Sequence, residues 1–175
     1  MTNVAEASAK KPQKWDKTVN VVIIGSGGAG LATAVSAAER GVKDIVVLEK
    51  LAFLGGNTAI ATGAFNTADP KQKEQGIEDS PEFHAQQTLK GGDFRGNPDL
   101  VNELTHNAYD TLKWLESKGV KFQPKILQVY GALWPRSHAT AASKGSDYVR
   151  VLSEEAKKLG VTTVSYTHLR AHETD

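Results

Sequence analysis

The sequence predicts an α/β domain built around a parallel sheet, and three neighbouring segments carry that prediction. Residues 19–24 are mostly β-branched, as expected of a strand buried on both faces. An alanine-rich segment with helical spacing then runs from Ala29 to Arg40 and is closed by Gly41. Residues 45–48 are again aliphatic. A strand, a helix and a strand thus occupy about 30 residues, the length of a parallel crossover unit.

Three helices and one strand are predicted farther along the chain. Each helix has a glycine as its stop signal, and two of them begin with a capping residue followed by proline. The second helix carries an apolar stripe that ends at Leu115. The predicted helices cover residues 80–92, 97–119 and 146–159, and residues 161–163 open a third strand.

Composition excludes several classes of protein. The 175 residues include 21 Lys and Arg against 20 Asp and Glu, so no excess positive charge attracts nucleic acid or an anionic membrane. No apolar run approaches the roughly 20 residues that span a bilayer. Residues 1–18 form a polar leader without features of a secretory signal, which predicts a cytoplasmic protein. Because cysteine is absent, redox chemistry requires an organic cofactor.

The most informative motif is a glycine-rich segment, GSGGAG, at residues 25–30. It follows the first strand directly, opens the first helix, and is answered by the acidic Glu49 nineteen residues after Gly30. Gly25 permits a tight turn, Gly27 allows the backbone to approach a pyrophosphate, and Gly30 allows close packing of helix on strand. The helix N-terminus favours phosphate, and a carboxylate accepts hydrogen bonds from ribose hydroxyls. This combination predicts a bound adenine dinucleotide.

The next segment bears on which dinucleotide is bound. Residues 54–64 are rich in small side chains and form a loop whose backbone amides could line a flavin. A domain that binds only NAD usually continues into another crossover helix instead. FAD is therefore favoured, while an NAD-binding dehydrogenase module and an inactive dinucleotide-binding fragment remain as alternatives.

Several motifs resemble one family in the same order: VVIIGSGGAG, VVLEK, GGNTAIATGAFNTA, DSPEFHAQQTLKGGDFRGNPDLV and PRSHATAASKGSDYV. Residues 19–163 resemble the first third or so of the flavoproteins that include soluble fumarate reductases and flavocytochromes c, related to urocanate reductases and ketosteroid dehydrogenases. The resemblance implies a doubly wound, Rossmann-like FAD-binding domain with a parallel sheet, truncated here before the capping domain.

The resemblance also implies the residues of the site. Asn57 stands where membrane-bound succinate dehydrogenases place a histidine linked covalently to the flavin, so FAD is expected to be non-covalent. His138, in the segment Arg136-Ser137-His138, corresponds to a histidine that holds a substrate carboxylate. The expected cofactor-binding residues are Gly25, Gly27, Gly28, Ala29, Gly30, Glu49, Lys50, Asn57, Thr58, Thr62, Gly63 and Ala64.

The implied activity is reduction of an activated carbon–carbon double bond in a small unsaturated carboxylate, by hydride transfer from FAD. The catalytic acid is expected beyond this chain, which alone is expected to be inactive. After His138 the sequence reads Ala139-Thr140-Ala141-Ala142, where fumarate reductases commonly have arginine, proline and glycines. The urocanate reductase and ketosteroid dehydrogenase alternatives therefore stay open, as does the identity of the electron donor.

Residues 164–175 resemble a translated sequencing-library adapter, so the predicted domain occupies residues 19–163 between the polar leader and this tail. His168 and His172 lie four residues apart in the tail, the spacing of two metal ligands on a helix. No carboxylate motif accompanies them, and we predict no metal site.

Overall fold

The computed structural model describes residues 14–130 and 132–165. Most of the polar leader and most of the proposed tail, including His168 and His172, lie outside these residues. The elements, in chain order, are β1 (Val21–Ile24), α1 (Gly28–Glu39), β2 (Ile45–Glu49), α2 (Gly56–Ile60), β3 (Ala64–Asn66), a 3₁₀-helix (Pro70–Gln75), α3 (Pro81–Gly91), α4 (Pro98–Lys118), β4 (Ser137–Ala139), α5 (Ser146–Lys158) and β5 (Thr162–Ser165).

The principal sheet is parallel and has the strand order β1-β2-β5. The predicted parallel α/β fold is confirmed. β5 ends at Ser165, two residues beyond the predicted domain limit at Thr163. Since the carboxyl ends of parallel strands meet at one edge, the turn after β1 and the end of β2 are neighbours. The Gly25 amide donates a hydrogen bond to the Leu48 carbonyl over 2.8 Å, which joins the two strand ends.

One face of this sheet carries the hydrophobic core. Alternate residues of β1 and β2 contact buried side chains of α1 and α5. The opposite face is open at β1, where Val22 is 53% exposed and Ile24 is 73% exposed. The prediction that this strand is buried on both faces is wrong, because β1 is an edge strand here and the core helices pack on the other face. The core residues on β1, β2, α1 and α5 are Ile23, Leu31, Ala34, Val35, Ile45, Val47, Val151, Leu152 and Ala156.

The predicted capping residues begin α3 and α4. The Ser80 hydroxyl accepts a hydrogen bond from the Phe83 amide, and Asn97 caps α4 by accepting from the Asp99 amide. The apolar stripe of α4 is buried only in its C-terminal half, since Leu100 and Leu104 are exposed while Ala108, Leu112 and Leu115 are buried.

A second, antiparallel pair of strands was not predicted from the sequence. β3 pairs with β4, and Phe65 lies opposite His138 in the register. This pairing brings residues 61–64, which are predicted to line the cofactor and which we name the cofactor loop, next to the segment that contains His138. Among the described residues, no helix combines the length and apolar character needed to cross a bilayer.

Candidate cofactor-binding site

The turn between β1 and α1 has the geometry that its glycines require. Gly25 has a φ of +93°, which residues other than glycine rarely adopt. A Cβ at Gly30 would overlap the Gly25 carbonyl oxygen, so close approach of α1 to β1 depends on this glycine. A Cβ at Gly27 would meet nothing nearer than the Gly55 oxygen, 3.9 Å away. Internal packing therefore leaves Gly27 room for a methyl group, unlike Gly30.

The N-terminus of α1 lies against the start of α2. Gly27 is the N-cap residue, and neither a side-chain cap nor an acidic residue occupies the first turn. The Gly28 amide donates to the Thr58 hydroxyl over 2.9 Å, so two predicted cofactor residues are in direct contact. Ala29 follows Gly28, Asn57 precedes Thr58, and both are exposed. Lys50 is exposed directly after β2.

Glu49 lies at the carboxyl end of β2, where it contacts the glycine-rich turn. Its Oε2 accepts hydrogen bonds from the Ser26 amide at 2.9 Å and the Ser26 hydroxyl at 2.5 Å. Its Oε1 accepts from the Leu51 amide at 2.8 Å. The Ser26 hydroxyl and then the Leu51 amide are the main causes that lower the pKa of Glu49. The carboxylate is therefore ionised at neutral pH.

Ser26 holds the parts of this crevice together, a role that the sequence analysis did not predict. Its hydroxyl donates to Glu49 and accepts from the Gly55 amide at 3.0 Å, so it joins the first turn, the end of β2 and the start of α2. Its place at the first variable position of the glycine motif is the only signal in the sequence.

The segment that leads into α5 donates hydrogen bonds to carbonyl oxygens of the cofactor loop. The Ala61 carbonyl accepts from the Gly145 amide at 2.8 Å. The Gly63 carbonyl accepts from the Thr140 amide at 3.1 Å and from the Tyr148 hydroxyl at 2.9 Å. Thr62 and Ala64, both predicted to contact the cofactor, are exposed on either side of the buried Gly63.

His138 is buried on β4, and both of its ring nitrogens face acceptors within the protein. Nδ1 lies 3.1 Å from the Arg136 carbonyl oxygen, and Nε2 lies 3.1 Å from Oδ2 of Asp69. A carbonyl oxygen only accepts, so Nδ1 carries a hydrogen. The contact of His138 with a substrate carboxylate stays a prediction, and it requires that Nε2 leave Asp69.

Asp69 and His138 belong to a buried polar network, which also contains Gln72, Asp79 and Arg136. The Arg136 guanidinium donates from Nε and an Nη atom to the two oxygens of Asp79, at 2.9 and 2.8 Å. Gln72 donates to Asp79 at 3.0 Å and accepts from the Asp69 amide at 2.6 Å. Burial lowers the pKa of Arg136, and the Asp79 charge opposes that shift. The network satisfies its charged groups internally.

His84 lies beside this network on α3. It is 7% exposed, and its Nδ1 has no hydrogen-bond partner among the described residues. Burial, followed by the nearby Arg136 charge, lowers the pKa of His84 to about 4. The imidazole is therefore neutral at pH 7. The sequence places His84 within a predicted helix and gives no sign of this burial.

A glycine turn, an uncapped helix N-terminus and an ionised carboxylate at the neighbouring strand end define a Rossmann-type dinucleotide-binding crevice. These groups suit the phosphates and ribose of such a ligand. Residues 20–171 match the family described as FAD binding domain. The chain belongs to this family, and its cofactor is FAD.

Similar proteins share reductase activities in their names. The chain is 37% identical to the acrylate reductase flavoprotein subunit of Shewanella woodyi, over 90% of this chain and 31% of that protein. It is 37% identical to urocanate reductase of Eggerthella lenta, over 91% of this chain and 29% of that protein. The open conformation of a flavocytochrome c3 fumarate reductase superposes with a TM-score of 0.76 at 27% identity, over 95% of this chain and 33% of that one. The chain thus spans about a third of the length of these relatives.

Proposed function

We propose that this chain is the FAD-binding part of an oxidoreductase that reduces the activated double bond of an unsaturated carboxylate. The observation that carries the proposal is the crevice in which Glu49 is held ionised beside the glycine turn. Because the chain belongs to a flavin-binding family, a domain that binds only NAD is no longer a competing interpretation. The related reductases supply the reaction class.

The chain's own residues bind and orient the cofactor in this proposal. FAD, when bound, supplies the hydride chemistry. The ionised Glu49 accepts hydrogen bonds from ribose hydroxyls, and the backbone at Gly27 lies against the diphosphate. The α1 N-terminus adds a partial positive charge for the phosphates, with no acidic side chain in its first turn to oppose it.

We further propose that the flavin is bound without a covalent link. Asn57 is exposed on α2 and carries a carboxamide, which lacks the nucleophilic nitrogen of an imidazole. FAD should therefore remain in the supernatant when loaded protein is precipitated with acid. Yellow colour retained in the precipitate would contradict this assignment.

The substrate class follows from what the three relatives have in common. Acrylate, urocanate and fumarate each contain a carbon–carbon double bond conjugated to a carboxylate, which makes one alkene carbon electrophilic towards hydride. His138 is the proposed contact for that carboxylate. The family segment around His138 supports this role. Because its Nε2 contacts Asp69, that contact must break before His138 can bind the substrate carboxylate.

The decisive assay uses the parent protein, with the coding sequence extended to the length of the relatives. Reduced viologen dye should be oxidised when acrylate, fumarate or urocanate is added, and a steroid enone serves as the competing substrate class. His138→Gln should raise KM for the carboxylate substrate more than it lowers kcat. Turnover only with the steroid, or FAD binding without any turnover, would contradict the proposed reaction.

A further inference from the structure

The cofactor loop (residues 61–64) is fixed by a second segment, residues 140–148, which we call the clamp. The hydrogen bonds that the clamp donates to the loop all fall on carbonyl oxygens. The Ala61 carbonyl accepts from the Gly145 amide, and the Gly63 carbonyl accepts from the Thr140 amide and the Tyr148 hydroxyl. Three donors that lie 77 to 85 residues farther along the chain therefore fix two peptide groups of the loop.

Holding these carbonyls also sets the direction of the amides that follow them. In a planar trans peptide, the C=O of one residue and the N–H of the next point in opposite directions. The Thr62 N–H consequently points away from Gly145, and the Ala64 N–H points away from Thr140 and Tyr148. Both Thr62 and Ala64 are exposed.

The strand register gives the same orientation for Ala64 independently. Hydrogen-bonded and non-hydrogen-bonded pairs alternate along an antiparallel ladder. The Thr140 amide bonds Gly63, so the next pair, Ala64 with Ala139, is a non-hydrogen-bonded pair whose amides face away from the partner strand. Within residues 14–130 and 132–165, the Thr62 amide donates no backbone hydrogen bond. The loop thus presents two outward-facing amides.

We propose that Tyr148 is a positioning residue for the flavin end of FAD, because its hydroxyl fixes the peptide that presents the Ala64 amide. This inference rests on the proposed role of residues 62–64 in cofactor binding. The phenol is a dedicated donor, since burial raises the pKa of Tyr148 and keeps its proton in place. Its ring packs with Phe122, with centroids 6.1 Å apart, so the ring contributes to packing separately from the hydroxyl.

The close fit around the loop supports a positioning role. A Cβ at Gly63 would approach the Lys144 carbonyl carbon to 2.7 Å and the Thr140 hydroxyl to 2.8 Å. A Cβ at Gly145 would overlap the Thr58 carbonyl oxygen. The clamp and the loop therefore pack backbone to backbone, and a change on one side shifts the other.

Tyr148→Phe in the 175-residue chain tests the proposal, because it removes the hydroxyl and keeps the ring. FAD and ADP are the two probes, titrated by flavin fluorescence and calorimetry. ADP lacks the flavin and reaches only the diphosphate and ribose groups. Without this hydrogen bond the loop must be ordered when the flavin binds, so we expect the dissociation constant for FAD to rise about fivefold and that for ADP to stay unchanged. Tyr109→Phe on α4, outside the clamp, is the matched control.

The outcomes separate the two proposals. Equal weakening of FAD and ADP, or no weakening of FAD, would overturn the role of Tyr148. Hydrogen–deuterium exchange of the cofactor-free chain gives a second measurement: Tyr148→Phe should speed exchange in residues 61–66 and leave α1 and α4 unchanged. If the unaltered chain binds neither probe, the cofactor-binding proposal fails, and unchanged exchange in the variant rejects the clamp separately.

Discussion

Two polar regions of this domain are built in opposite ways. In the crevice, Glu49 is 7% exposed, and its carboxylate accepts hydrogen bonds from the Ser26 and Leu51 amides at the carboxyl edge of the sheet. In the buried polar network, Asp79 and Arg136 satisfy each other, and Asp69 satisfies His138. Both carboxylates are enclosed, but Glu49 has neutral donors at a strand end, whereas Asp79 is paired with a buried positive charge. Substitutions in the two regions should therefore change different measurements.

The largest effect is expected in the network. Arg136→Leu leaves the nearly fully buried Asp79 carboxylate without its charged partner, which should destabilise the fold by about 3–5 kcal/mol. Urea unfolding of the chain measures this loss. Replacing both partners by leucine should recover most of it, because an apolar pair needs no charge compensation.

A matched exposed pair provides the control for this prediction. Arg150 and Glu154 are both 58% exposed and 3.8 Å apart, so Arg150→Gln should change stability by less than about 1 kcal/mol. Similar losses for Arg136→Leu and Arg150→Gln would contradict a larger contribution of the buried pair to stability.

The second prediction separates the two functions of the glycine motif. Gly30→Ala places a methyl group against the Gly25 carbonyl and should cost about 3 kcal/mol in unfolding free energy. Gly27→Ala has an accessible φ of −64° and room inside the protein, so stability should change little while FAD affinity falls more than about tenfold. Unfolding curves and flavin fluorescence titrations compare the variants. A Gly27→Ala chain that binds FAD normally would contradict the predicted approach of backbone to diphosphate.

The third and smallest effect concerns His84 beside the network. Its folded pKa of about 4 lies below the ordinary value of 6.5, so the unfolded state takes up a proton first as pH falls. The folded chain should therefore lose stability between about pH 6.5 and pH 4, by about 2 kcal/mol at pH 5 relative to pH 7. Arg136 and Asp79 are the charged groups that act on this imidazole.

His84→Gln should flatten this pH dependence when unfolding is measured at pH 5 and pH 7. The control is His106→Gln, since His106 is exposed and pairs with Glu82 at the surface. If the two variants give the same pH dependence, the buried imidazole is not its source.

The sequence was sufficient to predict the first crossover unit, because Gly25, Gly30 and Glu49 act through backbone geometry and strand ends that the motif specifies. It was not sufficient for β3 and β4, which are three residues each and depend on pairing across more than 70 positions. The exposure of Ile24 was also missed, since burial on a second face depends on what packs there and not on the strand itself.

The buried network depends on tertiary contacts that local sequence patterns do not reveal. In the structure, Asp69 and Gln72 form a capping box at the start of the 3₁₀-helix, a local motif of the segment Asp69-Pro70-Lys71-Gln72. Nothing local reveals that Asp69 also reaches His138 or that Gln72 reaches Asp79. These contacts arise from tertiary packing, as do the contacts of Ser26 and Tyr148.

The sheet order has a consequence for how the domain forms during translation. Val21 and Ile45 pair across 24 positions, whereas Val46 must wait for Thr162, 116 positions later. At ordinary elongation rates, that interval is on the order of ten seconds. The nascent chain can therefore assemble the nucleotide-binding turn well before the ribosome delivers Tyr148 and β5. Under the proposed roles of these residues, cofactor present during synthesis would meet the glycine turn and Glu49 before it meets the loop that Tyr148 holds.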